Sequence, residues 1–325
     1  SAHTRGMLQI FDAPDDEIYK AKWDTELPPS FDDDRTQHPP PVEYYKFYTD
    51  RACGHVPHDR RDLWHNHVNY YLNCFRDVDR YIGTVLDALE ESGQAENTII
   101  IFTADHGEMA TAHGLRQKGG VAFKEIINVP FIVVHPDGPR DATTEAVGSH
   151  VDITPTLLSY AGVSVEERKR RYPQVVGHDL SGVVANPASD GPRGSSQNPG
   201  SGALMTYDMI STMDIEWLLK NAVKVFDQAA EAAGVELERD VAKLAQEVEK
   251  PDASRWNMYR AVFDGRYKLV RFFGFESYNN PGTVVDLFEN NQVALYDLQN
   301  DPDEMSNLAN PDNAGYDEGL LATMN

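Results

Sequence analysis

The run Thr98-Ile99-Ile100-Ile101-Phe102-Thr103 constrains this chain more than any other stretch. Six continuous β-branched and aromatic residues read as a strand buried on both faces, the kind that needs cover above and below. Just before it, from about Asp62 to Ser92, the apolar residues Val68, Leu72, Phe75, Val78, Ile82, Val85, Leu86 and Leu89 recur at three- and four-residue steps. That spacing predicts a long amphipathic helix, stopped by Gly93, with one face laid on a sheet. Helix followed by buried strand points to a parallel, doubly wound α/β arrangement. A second apolar run, Val129 to Val134 with Pro130 near its start, supplies another strand, and Asp152 to Leu158 a helix with Thr154 as its cap and Pro155 in its first turn.

The texture changes beyond Asn186. The stretch 186–202 is rich in Pro, Gly, Ser and Asn and predicts a flexible linker between a catalytic α/β domain over 1–185 and a smaller unit over 203–325. Within that unit, 214–250 predicts a helical insertion. The runs 259–263, 267–272 and 293–298 predict short strands, the first two joined at Asp264-Gly265, giving a small antiparallel sheet. Near the other end, 15–41 mixes acids, prolines and short apolar pieces and predicts an irregular surface excursion that packs little.

The 325 residues are enough for one large core and a smaller companion, and the hydrophobic fraction of 41% is that of a globular protein. A net charge of −23 argues against nucleic acid or an anionic membrane as partner, since both recruit basic surfaces. No apolar run approaches a membrane span. Cys53 and Cys74 stand at no metal-ligand spacing and are expected to be structural.

The chemistry-bearing residues gather where the first buried strand ends, in Thr103-Ala104-Asp105-His106-Gly107-Glu108. The carboxyl edge of such a sheet is where ligands bind. Asp105 and His106 offer an oxygen and an imidazole nitrogen to a divalent cation, and Gly107 lets the backbone turn closely. Further on, Lys118 beside Gly119 and Gly120 could hold an anionic group as a point charge. Taken separately, the pair also fits a capping Asp with a surface His, and the lysine a solvated one.

In order, these pieces resemble the sulfatase family of the alkaline-phosphatase superfamily. The resemblance runs from about Leu63 to Ala309. It is carried by the long helix, Asn97 to Glu108, His113-Gly114-Leu115 with Lys118-Gly119-Gly120, Val129 to Val134, Asp152 to Leu158, Gly177-His178-Asp179-Leu180, and the C-terminal Gly265 to Val270 and Leu295 to Leu308. It is poor over 214–250. It implies an alkaline-phosphatase-like sandwich, with a mostly parallel sheet between helices and a small antiparallel C-terminal subdomain. It also implies one divalent cation, Ca2+ with Mn2+ or Mg2+ as alternatives, held by Asp105 and His106, and a sulfate contact from Lys118. A histidine acting on the leaving oxygen falls near His3, while His113 is expected to support the site from outside it.

The resemblance further implies a formylglycine nucleophile within Cys/Ser-x-Pro/Ala-x-Arg, which neither Cys53 nor Cys74 provides. Ser1-Ala2-His3-Thr4-Arg5 carries histidine where that pattern needs Pro or Ala. The chain is therefore expected to begin within a longer protein that supplies the nucleophile, and to be inactive and aggregation-prone alone. The implied activity is hydrolysis of sulfate esters on small molecules or glycans. A phosphonate monoester or phosphodiester hydrolase on the same fold, and a non-catalytic anion- or partner-binding remnant, are the alternatives. The stretch 214–250 suits a homo-oligomer contact or a lid, and its sequence favours neither.

Overall fold

The computed structural model describes residues 19–208 and 258–325, together with Trp217, Asp252, Arg255 and Trp256. His3 and nearly all of the helical insertion expected at 214–250 lie outside the described residues.

Helix α1 spans Pro40–Cys53 and opens on proline, whose fixed φ suits a first turn. Helix α2 spans Arg61–Glu91 and ends ahead of Gly93 at φ +70°, as the sequence predicts. Strand β1, Ile100–Thr103, pairs with β2, Phe131–Val134, and between them lies the four-residue helix α3, Lys124–Ile127. Then come α4 (Ile153–Tyr160), α5 (Val165–Arg171), α6 (Ser181–Ala185) and β3 (Ala203–Tyr207). The chain closes with β4 (Met258–Phe263), β5 (Tyr267–Phe273), α7 (Val284–Glu289), β6 (Gln292–Asp297) and α8 (Glu318–Met324).

The α/β class and the antiparallel C-terminal sheet agree with the sequence. That sheet has the order β3-β4-β5-β6, with every neighbour antiparallel. The parallel pairing expected for the first two strands is not what forms between them: β1 and β2 run antiparallel, Ile100 opposite Val134 and Thr103 opposite Phe131. A parallel neighbour needs a crossover of a dozen or more residues, usually a helix packed on the sheet. Here 104–130 instead folds back as a long loop containing only a three-residue 3-10 turn, Ala112–Gly114, and the four-residue α3, so β2 returns alongside β1 in the opposite sense. Nor are these strands buried on both faces among the described residues, since Phe102 and Ile132 remain exposed.

The apolar face of α2 is likewise uncovered from Phe75 onward, with Val78, Tyr81 and Val85 all more than half exposed. Its first turn is tucked in, where Leu63 and Trp64 close on Phe31 and Val56, and Asn73 further along is buried against the backbone of Tyr19 and Ala21. Phe31 belongs to the segment expected to pack little. That expectation fails because Phe31 is almost fully buried with Val56, Leu63 and Trp64, and Leu27 packs against the same cluster.

The main core joins α1 and the 109–126 loop to one face of the C-terminal sheet. Val42, Tyr45, Met109, Leu115, Val121, Phe123 and Ile126 meet Tyr259, Val270, Phe272, Ala294 and Tyr296. The opposite face of the sheet is covered by α7 and α8 through Leu269, Leu287, Leu295 and Leu321. Each such side chain withdrawn from water contributes roughly 1.5–3 kcal/mol.

The stretch 186–202 is tied back to the first part of the chain. Arg193 makes two hydrogen bonds of 2.8 Å to the fully buried Asp152, and Ser195 bridges to Ala146. Asp152 also accepts from the backbone of Ser149 and His178, so it caps the approach to α4. The helix thus starts at Ile153, one residue before the expected cap Thr154.

Candidate functional site

Strand β1 delivers Asp105 and His106 to solvent at its carboxyl end. The Asp105 side chain is 86% exposed and the His106 ring 42%. His106 N–H donates to Asp105 Oδ1 at 2.9 Å, which turns the carboxylate toward the ring, and Asp105 Oδ2 lies 3.4 Å from His106 Nε2. His106 Nδ1 is 2.9 Å from the Gly107 carbonyl. A carbonyl only accepts, so Nδ1 carries a hydrogen, and Nε2 is the ring nitrogen left to face a cation. An oxygen and a nitrogen 3.4 Å apart suit adjacent positions around one cation with bonds of about 2.0–2.6 Å. The two side chains fit the divalent ion that the sequence expects.

Gly107 is fixed by what passes behind it. Its N–H donates to Ile126 O at 2.8 Å, and a Cβ there would lie 1.9 Å from Glu125 O. Only glycine permits that approach.

The next residues form a strained loop. Ala110, Thr111, His113 and Gln117 all have positive φ, at 45°, 85°, 54° and 70°. Non-glycine residues in this region cost of order 1–3 kcal/mol each and persist only where the surroundings over-determine them. The surroundings do so here. Met109 N–H donates to Gln117 O and Thr111 N–H to Leu115 O; Glu108 Oε1 accepts from Gln117 N–H; and Tyr45 donates its hydroxyl hydrogen to Arg116 O. Burial pushes the Glu108 carboxyl up, opposed by the hydrogen bond from Gln117 and by the Lys118 and His106 charges.

Lys118 sits at the end of this loop, half-buried, with no hydrogen bond or ion pair to its ammonium among the described residues. Tyr207, from β3, lies over the adjacent Gly119, where a Cβ would come within 2.7 Å of the phenol oxygen. The structure thus brings Asp105 and His106 together and connects them to Lys118 through Glu108 and Gln117. His3 lies outside the described residues.

His113 is fully buried and belongs to a set the sequence did not expose. Asp33 Oδ2 is 2.6 Å from both His38 Nε2 and His113 Nδ1, and His38 Nδ1 is 2.8 Å from the Tyr296 hydroxyl. Phe123 stacks on the His113 ring at 3.8 Å. Burial works against the Asp33 charge, but the hydrogen bonds from His113 and His38 outweigh it and hold the carboxyl at about 2. Among the described residues this is the one group of three whose donor atoms converge closely enough to hold a metal ion. At 2.6 Å, however, those atoms are already bonded through hydrogens, closer than ligands sharing a metal usually stand. His38 precedes a run of prolines and Asp33 sits in an acidic run that reads as surface, so only their convergence with His113 marks them.

No helix among the described residues is long and apolar enough to cross a membrane. The model of the Sulfatase family matches residues 35–163. Over 105 residues the chain is 39% identical to an uncharacterized sulfatase, YidJ, of Escherichia coli (strain K12), covering 32% of this chain and 20% of that protein. Among solved structures it is similar to BT4656 in complex with D-glucosamine-2-N,6-O-disulfate, at a TM-score of 0.53 and 20% identity over 87% of this chain and 44% of the other. It is also similar to the phosphonate monoester hydrolase SpPMH from Silicibacter pomeroyi, at a TM-score of 0.60 and 20% identity over 94% of this chain and 51% of the other. The chain therefore spans about a fifth of that curated relative and about half of each structure.

Proposed function

Because the Sulfatase family model matches residues 35–163, we propose that this chain is a member of that family and forms part of an enzyme hydrolysing sulfate esters carried by a small molecule or a glycan. The observation that carries this reading is the pairing of Asp105 Oδ2 and His106 Nε2 3.4 Å apart at the end of β1, on the loop that leads to Lys118. In this reading Asp105 and His106 hold one divalent cation, Ca2+ ahead of Mn2+ or Mg2+, since a hard carboxylate in an exposed position favours hard cations. A bound divalent cation supplies Lewis-acid polarisation of the sulfate oxygens.

The residues of this chain then divide the remaining work. Lys118 neutralises charge on the sulfate as the ester oxygen departs, and the strained loop keeps its ammonium free of other partners. His3 is proposed to give the departing alcohol its proton. The nucleophile, a hydrated formylglycine, is proposed to come from sequence other than that of this chain, which is why the 325 residues alone are expected to be inactive.

The test is side-by-side turnover of an aryl sulfate and an aryl phosphonate monoester by a protein containing this chain together with a formylglycine segment. Preferential sulfate hydrolysis that collapses in Asp105→Ala and Lys118→Ala supports the proposal. Preferential phosphonate turnover replaces it with the phosphonate hydrolase reading, and neither activity leaves an anion- or partner-binding protein.

A further inference from the structure

Loop 109–119 carries four non-glycine residues in the left-handed region, and its own hydrogen bonds bracket His113 at φ +54°. The His113 ring adds anchors from outside the loop. His113 Nδ1 is bound by Asp33 Oδ2 at 2.6 Å, its backbone carbonyl accepts from Arg35 Nη1 at 2.8 Å, and Phe123 stacks on its face. Asp33 is in turn shared with His38, and His38 reaches Tyr296 on β6. The phenol is fully buried, and burial with the nearby Glu304 and Asp33 charges keeps its proton on. A neutral phenol donating to His38 Nδ1 leaves that ring's hydrogen on Nε2, where it can only point at Asp33.

We propose that Tyr296, His38 and Asp33 are positioning residues: through His113 they hold the strained loop in the one conformation that presents Lys118 to an anionic ester. The C-terminal sheet is then part of the active-site apparatus without touching substrate. The role of Lys118 rests on the sulfatase reading; the holding of the loop does not.

Two further features favour positioning over a metal centre. The donor atoms are spaced as hydrogen bonds, and both nitrogens of His38 are engaged. His113 Nε2 is buried with no partner, so the ring is anchored through one nitrogen alone. That makes a specific rescue available. An asparagine amide can donate from nearly the place of Nδ1, and asparagine tolerates positive φ, whereas leucine does neither.

The experiment is amide hydrogen exchange on the 325-residue chain, read at Thr111, Leu115 and Gln117, for Tyr296→Phe, Asp33→Asn, His113→Asn and His113→Leu. Inorganic sulfate is titrated in parallel, and Zn2+ is added as a control. Tyr296→Phe and His113→Leu are expected to speed loop exchange about tenfold, the effect of losing one buried hydrogen bond, while β4 and β5 amides stay as in the parent. His113→Asn is expected to restore the parent rates. Sulfate affinity should fall with loop protection and recover with it. Unchanged loop exchange in both Tyr296→Phe and His113→Leu overturns the proposal. So does stoichiometric Zn2+ binding that Asp33→Asn abolishes, because the cluster would then be a metal site. If the parent takes no sulfate while loop exchange responds as stated, the positioning stands and the assignment of Lys118 falls.

Discussion

Lys268 on β5 and Glu304 beyond β6 form an ion pair with side chains 1% and 0% exposed. The other Glu304 oxygen accepts from the Lys124 N–H at 2.6 Å, and the Lys268 ammonium also donates to Ala122 O. One buried pair therefore pins both ends of the 122–124 segment. That segment runs into Glu125 and Ile126, the residues against which Gly107 turns. Burial pushes the Lys268 ammonium down, and the Glu304 charge opposes that shift.

Removing one partner leaves the other charged and unsolvated. Glu304→Ala is expected to cost about 3–5 kcal/mol of unfolding free energy. The double variant Lys268→Met/Glu304→Leu is expected to lie far closer to the parent, because a buried pair replaced by apolar groups loses no desolvated charge. Urea unfolding of the three proteins checks this. Equal losses in the single and double variants would show that the pair is not what matters.

The acid limb of stability should carry the signature of Asp33. Its folded carboxyl lies at about 2 against an ordinary 3.8, so its contribution is fully present above pH 3.8 and is lost as pH falls through about 2. That depression corresponds to roughly 2–3 kcal/mol. Asp33→Asn should flatten the stability curve between about pH 4 and pH 2 relative to the parent. An unchanged slope in that window would mean that the two histidine hydrogen bonds do not favour the ionised form.

What was readable in the sequence follows from how local each signal is. The periodicity of α2, the Ile-rich β1 and the Asp264-Gly265 turn between β4 and β5 are set by neighbouring residues, and each appears where expected. Asp105, His106 and Lys118 stand out as candidates because they share one short stretch. Strand β3 was missed: Ala203–Tyr207 is only five residues long and becomes a strand by pairing with β4 more than fifty residues away. Asp33, His38 and Tyr296 were invisible for the same reason, since 258 residues separate His38 from the phenol that orients it. The direction of β2 was misjudged because an apolar run specifies burial and says nothing about sense.

Gly107→Ala tests how tightly the turn after Asp105 and His106 is drawn. A methyl group placed 1.9 Å from Glu125 O cannot be absorbed by a side-chain rotation, since the obstacle is backbone. The Gly107–Ile126 hydrogen bond should break, and the Asp105–His106 pair should shift away from α3. Expected is a loss of about 1–3 kcal/mol and faster exchange of the Gly107-position amide. A fully stable variant with parent-like exchange would mean that the turn can open without penalty.

Asp105→Asn and His106→Gln should separate ligand function from structural support. Both side chains are substantially exposed, so each substitution should leave unfolding free energy within about 0.5 kcal/mol in metal-free buffer. The same changes should abolish any rise in melting temperature on adding Ca2+ or Mn2+, because stabilisation by a ligand scales with its affinity for the folded state. A cation-induced rise that survives both substitutions would move the ion to other ligands.

The uncovered face of α2 makes the last claim. Phe75, Val78, Tyr81 and Val85 are 54%, 54%, 60% and 68% exposed, at the helical spacing of one stripe, and Ile132 on β2 is 54% exposed as well. An apolar stripe of this kind favours association over solvation. The 325-residue chain should therefore self-associate as its concentration rises, and Phe75→Lys/Val85→Lys should reduce that association without lowering helix content, since lysine is a good helix former and the site is already wet. Sedimentation velocity across a concentration series decides it. A parent chain that stays monomeric throughout would show that the stripe is tolerated in water, and would remove the physical reason for expecting a covering segment over α2.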